Sequence, residues 1–137
     1  MIRSFKTVAL INGLLLATLT GAAFAQSTGL TRTIVTKADV SVADREAIIA
    51  RVDIAPGGVA GWHTHPGDEV SYVLEGEAVL LVAGRPPRKV LAGEGFVIPA
   101  GAVHNAMNEG KTTAKLVGVY TVEKGKPLAS PAPAPAQ

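Results

Sequence analysis

The stretch Gly57-Gly58-Val59-Ala60-Gly61-Trp62-His63-Thr64-His65-Pro66-Gly67-Asp68-Glu69-Val70-Ser71-Tyr72-Val73-Leu74-Glu75-Gly76 carries most of what the chain discloses about itself. His63 and His65 are two residues apart, and on a strand that spacing puts both imidazoles on one face. Glu69 follows a Pro66-Gly67-Asp68 turn. The third and last histidine, His104, lies within Gly93-Glu94-Gly95-Phe96-Val97-Ile98-Pro99-Ala100-Gly101-Ala102-Val103-His104-Asn105-Ala106-Met107-Asn108. Three imidazoles and a carboxylate, if brought together, suit a divalent transition metal such as Fe, Mn, Zn, Ni or Cu. Four protein ligands on a six-coordinate ion leave two positions for substrate, water or O₂. A histidine taken alone is more often structural or solvated than a ligand, so the residues around these three decide between the readings.

Working outward, no long stretch has a helical period. Short β-prone runs recur between Gly and Pro punctuation, as in an all-β sandwich or barrel. Strands are expected over Thr31–Thr36, Ala47–Ile54, Ala60–His65, Val70–Leu74, Ala78–Val82, Arg88–Leu91, Gly95–Ile98, His104–Asn108 and Lys115–Val122. Turn signals separate them, among them Pro56-Gly57-Gly58, Glu75-Gly76-Glu77, Pro99-Ala100-Gly101 and Asn108-Glu109-Gly110. Lys37 to Glu46 reads as a turn or a single helical turn. There is no internal repeat, so one barrel is expected.

The spacing is specific. Gly57, five residues, His63-x-His65, three residues, Glu69, six residues and Gly76 form one motif. Gly93, five residues, Pro99-x-Gly101, two residues, His104, three residues and Asn108 form the other. Together they resemble the two signature motifs of the cupin superfamily, and the resemblance covers residues 46–122. It implies an all-β fold, a single double-stranded β-helix or jelly-roll barrel. It also implies that His63, His65, Glu69 and His104 ligate the metal. Glu94 stands where many relatives have Asp, a change at a turn residue that leaves the ligand set intact.

Other residues are assigned around this centre. Val73, Phe96, Ile98, Ala106 and Val119 are candidates for an apolar pocket wall. Arg51 is a candidate cation near the site, although Asp53 shares its face and suits it as a partner. Asn108 lies near the expected mouth and reads first as a hairpin-turn residue. Trp62 and Tyr72 are expected to point outward, and the resemblance implies pairing of two copies through their sheets, hence a homodimer.

Length and composition fit one domain with tails: 137 residues, 47% hydrophobic and without cysteine. No disulfide or thiolate chemistry is possible. Arg3 and Lys6 precede the apolar run Val8–Ala17, and Ala23-Phe24-Ala25 fits a cleavage site, so residues 1–25 read as a signal peptide. Its removal leaves no stable membrane anchor and predicts a periplasmic or secreted protein. The formal charge of +2 resides in this leader; cleavage leaves 11 basic and 11 acidic residues. A nucleic-acid partner is therefore not expected. Residues 26–126 form the expected domain, and the Pro/Ala-rich residues 127–137 are expected to be a disordered tail.

The resemblance leaves the reaction open. Cupins include dioxygenases, isomerases, lyases and decarboxylases, and fold alone does not choose among them. Dioxygenase-like chemistry on a small-molecule substrate is the favoured expectation. The rival readings are a non-enzymatic module that binds a small ligand or a metal, and a jelly roll whose histidines are structural.

Overall fold

A computed structural model describes residues 26–136. The strands are β1 (Thr28–Asp39), β2 (Arg45–Val59), β3 (His63–Thr64), β4 (Gly67–Glu75), β5 (Glu77–Val82), β6 (Arg88–Leu91), β7 (Gly95–Ile98), β8 (His104–Met107), β9 (Ala114–Glu123) and β10 (Ser130–Pro131). Every pairing is antiparallel. One face runs β1-β2-β9-β4-β7 and the other β6-β5-β8-β3-β10. β2 belongs to both, because its far end pairs β8 at Val59↔Met107. The two faces close into a double-stranded β-helix, the expected fold.

Alternation drives the closure. Along β2 the even positions Ile48, Ala50, Val52 and Ile54 are buried, and along β9 so are Ala114, Leu116, Tyr120 and Val122. A strand with one apolar face buries it only against a second layer. Val52, Ile54, Val73, Leu80, Val90, Phe96, Ile98 and Leu116 form the main core. Ile48, Ala50, Tyr120 and Val122 form a smaller cluster, capped by Leu128.

Three sequence expectations are corrected. The turn expected at Pro56-Gly57-Gly58 is a bend within β2. Gly57 takes φ 73°, and its amide donates to the Asn108 carbonyl at 2.8 Å, so the strand crosses from one sheet to the other unbroken. The strand expected over Ala60–His65 shrinks to His63–Thr64; Gly61, at φ 76°, breaks the extended run before it, and both histidines are buried. Residues 127–136, expected to be disordered, pack on the barrel. Ser130 and Pro131 pair with Thr64 and His63, and the Ala132 amide donates to the Trp62 carbonyl at 2.9 Å. Proline is tolerated there because β10 is an edge strand, where one missing N–H costs no ladder bond. The leader expected over residues 1–25 lies outside the described residues.

Candidate metal centre

β3 and β8 are adjacent, with His63 directly opposite His104. His65 follows β3, and Glu69 stands on the inner face of β4. All four side chains are buried. The histidine ligand atoms lie within 4.8 Å of one another. Glu69 Oε2 sits 2.9 Å from His65 Nε2 and 3.4 Å from His104 Nε2.

The tautomers follow from the hydrogen bonds. Each Nδ1 faces a backbone carbonyl: His63 that of Gly61 at 2.7 Å, His65 that of Leu128 at 2.6 Å, and His104 that of Ala102 at 2.9 Å. A carbonyl only accepts, so each Nδ1 carries the proton and each neutral ring presents its Nε2 lone pair inward. Three such lone pairs converge beside a carboxylate. His65 Nε2 is buried and makes no hydrogen bond despite its closeness to Glu69. Acceptors turned on one another are unfavourable without a cation between them. This donor set fits a divalent transition ion, and carbonyl-anchored imidazoles are the usual outer support of such ligands.

The electrostatics agree. Burial, followed by repulsion from His104, lowers the His63 pKa to about 4. That keeps the ring neutral at ordinary pH. Burial alone would raise the Glu69 carboxyl, but His104 and His65 beside it, when their rings take up a second proton in the metal-free protein, and the Ser71 hydroxyl outweigh it and hold it below the usual carboxylate range. Ser71 Oγ donates to Glu69 Oε1 at 2.5 Å, leaving Oε2 for the histidines.

A small cavity of about 30 Å³ adjoins the cluster, walled by Val52, Ile54, Phe96, Ala106, Leu116 and Tyr120 among others. It opens toward a mouth of about 650 Å³ edged by Leu30, Arg32, Trp62, Ala129 and Pro131.

Residues 50–120 match the Cupin domain family. The chain is a cupin. It is 43% identical over 77 residues to germin-like protein subfamily 2 member 2 of Arabidopsis thaliana, a match covering 53% of this chain and 35% of that protein. The cupin thus spans about a third of the length of such curated relatives. A recombinant oxalate oxidase in complex with glycolate superposes with a TM-score of 0.57 and 34% identity, over 67% of this chain and 50% of the other. A double-stranded β-helix protein from Klebsiella pneumoniae superposes with a TM-score of 0.64 at 22% identity, over 77% and 85% of the two chains, and shares the fold.

The other assigned residues divide. Phe96 and Ala106 line the inner cavity. Val73 and Ile98 are core residues. Val119 is on the outer face of β9, since its neighbours Gly118 and Tyr120 take the inner one. Arg51 is likewise outside, 3.7 Å from Asp53, because the even positions of β2 face inward. Asn108 is a structural clamp: its amide donates to the carbonyls of Ile54 and Thr112, both at 2.8 Å, and accepts from the Gly110 amide at 2.9 Å. Trp62 edges the mouth, and Tyr72 lies on the outer face as expected.

Sequence reasoning missed Ser71, Tyr120, Arg32 and the Leu128 carbonyl. Ser71 was findable, being two residues from Glu69 on one strand. Tyr120 packs edge-on against His65, ring centroids 4.9 Å apart, and Gly118 leaves room for its ring. Its burial raises the phenol pKa, so it stays protonated.

Proposed function

We propose that this cupin is an exported, metal-dependent protein that oxidises a small molecule with O₂, with His63, His65, Glu69 and His104 as the four ligands. The observation that carries the reading is the set of three Nδ1-anchored imidazoles whose free Nε2 atoms converge beside Glu69. When bound, a divalent transition ion supplies Lewis-acid and redox chemistry toward oxygen-bearing groups. Glu69 lowers the net charge of the centre, and Ser71 fixes its orientation. Phe96, Ala106 and Leu116 exclude water from the inner cavity. The likeness to an oxalate oxidase supports oxidative chemistry on a small molecule. Export rests on the leader-like residues 1–25.

One observation favours a non-enzymatic binder as the second reading. Among the described residues, the only ionisable groups lining the inner cavity besides the proposed ligands are Arg32 and Tyr120. Neither suits a general base at neutral pH.

A second copy is proposed to pair through the outer face of β4 and β7. Val70, Tyr72, Leu74 and Val97 are about half exposed there, and Ile49, Val119, Val70 and Val97 form one apolar row across four strands.

Metal analysis of protein purified from its own cells tests the centre. About one divalent ion per wild-type chain, lost in His63→Ala and His104→Ala, is the expected result. Unchanged metal content in both variants refutes it. Loaded protein that binds a small ligand yet never converts it, with or without O₂, replaces oxidation with the binder.

A further inference from the structure

β1 lies outside the segment that matches the Cupin domain family, which begins at residue 50. Its register nonetheless reaches the centre. Leu30, Arg32 and Ile34 pair with Ile54, Val52 and Ala50, and directly paired residues share a face. Those partners all point into the barrel. Arg32 is therefore an inward-facing cation. It lines both the mouth and the inner cavity, as do Leu30, Ala60 and His63, so it stands at the throat between them.

Its surroundings leave it short of partners. Arg32 Nε is buried without a hydrogen bond. No carboxylate among the described residues lies within ion-pair distance of the guanidinium. Its central carbon sits 6.0 Å from the Tyr120 ring centroid, a contact that orients the group without neutralising it. A buried donor of this kind is costly unless something accepts from it.

We infer that Arg32 is the anchor for an anionic ligand, and that the ligand held between it and the histidine cluster is a small carboxylate. This rests on the metal-centre reading. Among the described residues, the inner cavity is lined by one formal negative charge, Glu69, and one positive, Arg32. A divalent ion makes the balance positive by two, and an anion is the complement. The planar guanidinium fork matches a carboxylate, and two open positions on the ion accept carboxylate oxygens. An inner volume of about 30 Å³ admits only a small head group. Any larger remainder of the ligand lies in the mouth, against Leu30, Trp62 and Pro131.

The test titrates oxalate, and its uncharged diamide oxamide, into full-length protein loaded with Mn²⁺ and kept anaerobic. Wild type is expected to bind oxalate well above oxamide. Arg32→Gln is expected to lose about ten- to hundredfold in oxalate affinity, with oxamide binding and metal content unchanged. Arg32→Lys is expected to recover part of the loss, which separates a charge effect from altered folding. Equal oxalate affinity in wild type and Arg32→Gln overturns the inference, as does equal affinity for oxalate and oxamide. If wild type takes up no ion, the metal reading fails separately. The arginine is then judged on metal-free protein, where oxalate binding lost in Arg32→Gln supports it and binding that is absent or unaltered overturns it.

Discussion

Replacing Asn108 with alanine separates a structural clamp from a pocket residue. Its side chain makes three hydrogen bonds, to Ile54, Thr112 and Gly110, and is almost wholly buried. At a net value near 1 kcal/mol each, their loss costs about 3 kcal/mol. The cost is unevenly placed. The Thr112 and Gly110 groups lie in a loop that water reaches, whereas the Ile54 carbonyl sits in the core and is left short of a partner. Against a total stability of roughly 5–15 kcal/mol for a domain of this kind, that is a large fraction. Urea unfolding of metal-free protein should show the loss at unchanged m-value, and thermal unfolding a fall of roughly 12–24 °C. Asn108→Asp should be no better, since it keeps the acceptor for Gly110 but turns a carboxylate oxygen on the Ile54 carbonyl. Metal content should be unaltered in the variants that fold. A loss below about 1 kcal/mol would refute the clamp.

Deleting residues 127–137 removes the Leu128 carbonyl from His65 Nδ1. Metal affinity should fall about ten- to hundredfold in competition with a chromophoric chelator, and an unchanged affinity disproves the support role. The metal-free protein should lose stability in acid. The unfolded chain binds more protons at His63 between its ordinary value near 6.5 and the folded value of about 4. The contribution is thus full above pH 6.5 and fades as the pH drops toward 4, by about 3 kcal/mol in all. His63→Gln should flatten that slope, and an equally steep slope in the variant counts against it. Below about pH 4.5, protonating Glu69 removes a second contribution, because its folded pKa is also depressed. On the outer face, Tyr72→Glu should turn a dimer into a monomer in sedimentation runs, and a wild type that is monomeric at micromolar concentration ends that proposal.

Much of the barrel was legible because its signals are local. Arg88–Leu91 and Gly95–Ile98 emerge as expected, each bounded by turn residues. The histidines were legible because their spacing is tied to the turns that aim them. Where the reading failed, a local signal had a different global use. Pro56-Gly57-Gly58 has turn chemistry, but a strand that switches sheets needs the same freedom at its bend. The tail has the composition of a solvated segment, yet Leu128 finds an apolar cluster and its carbonyl finds His65. Val119 was misplaced by a parity error of one residue, which reverses every side chain on a strand. Arg32 had no local signal at all: its role comes from the register of β1 on β2, which no short window of sequence encodes.

The docked tail has a geometric corollary. Gln26 and Ser27 border the mouth on one side, Ala129 and Pro131 on another, so the segment ahead of β1 and the docked C-terminal segment both pass the entrance to the cavity. A group attached at Gln26 or at Ala129 would hang over that entrance. An affinity tag rich in histidine would present competing imidazoles within reach of the centre, and a bulky fusion would act as a stopper.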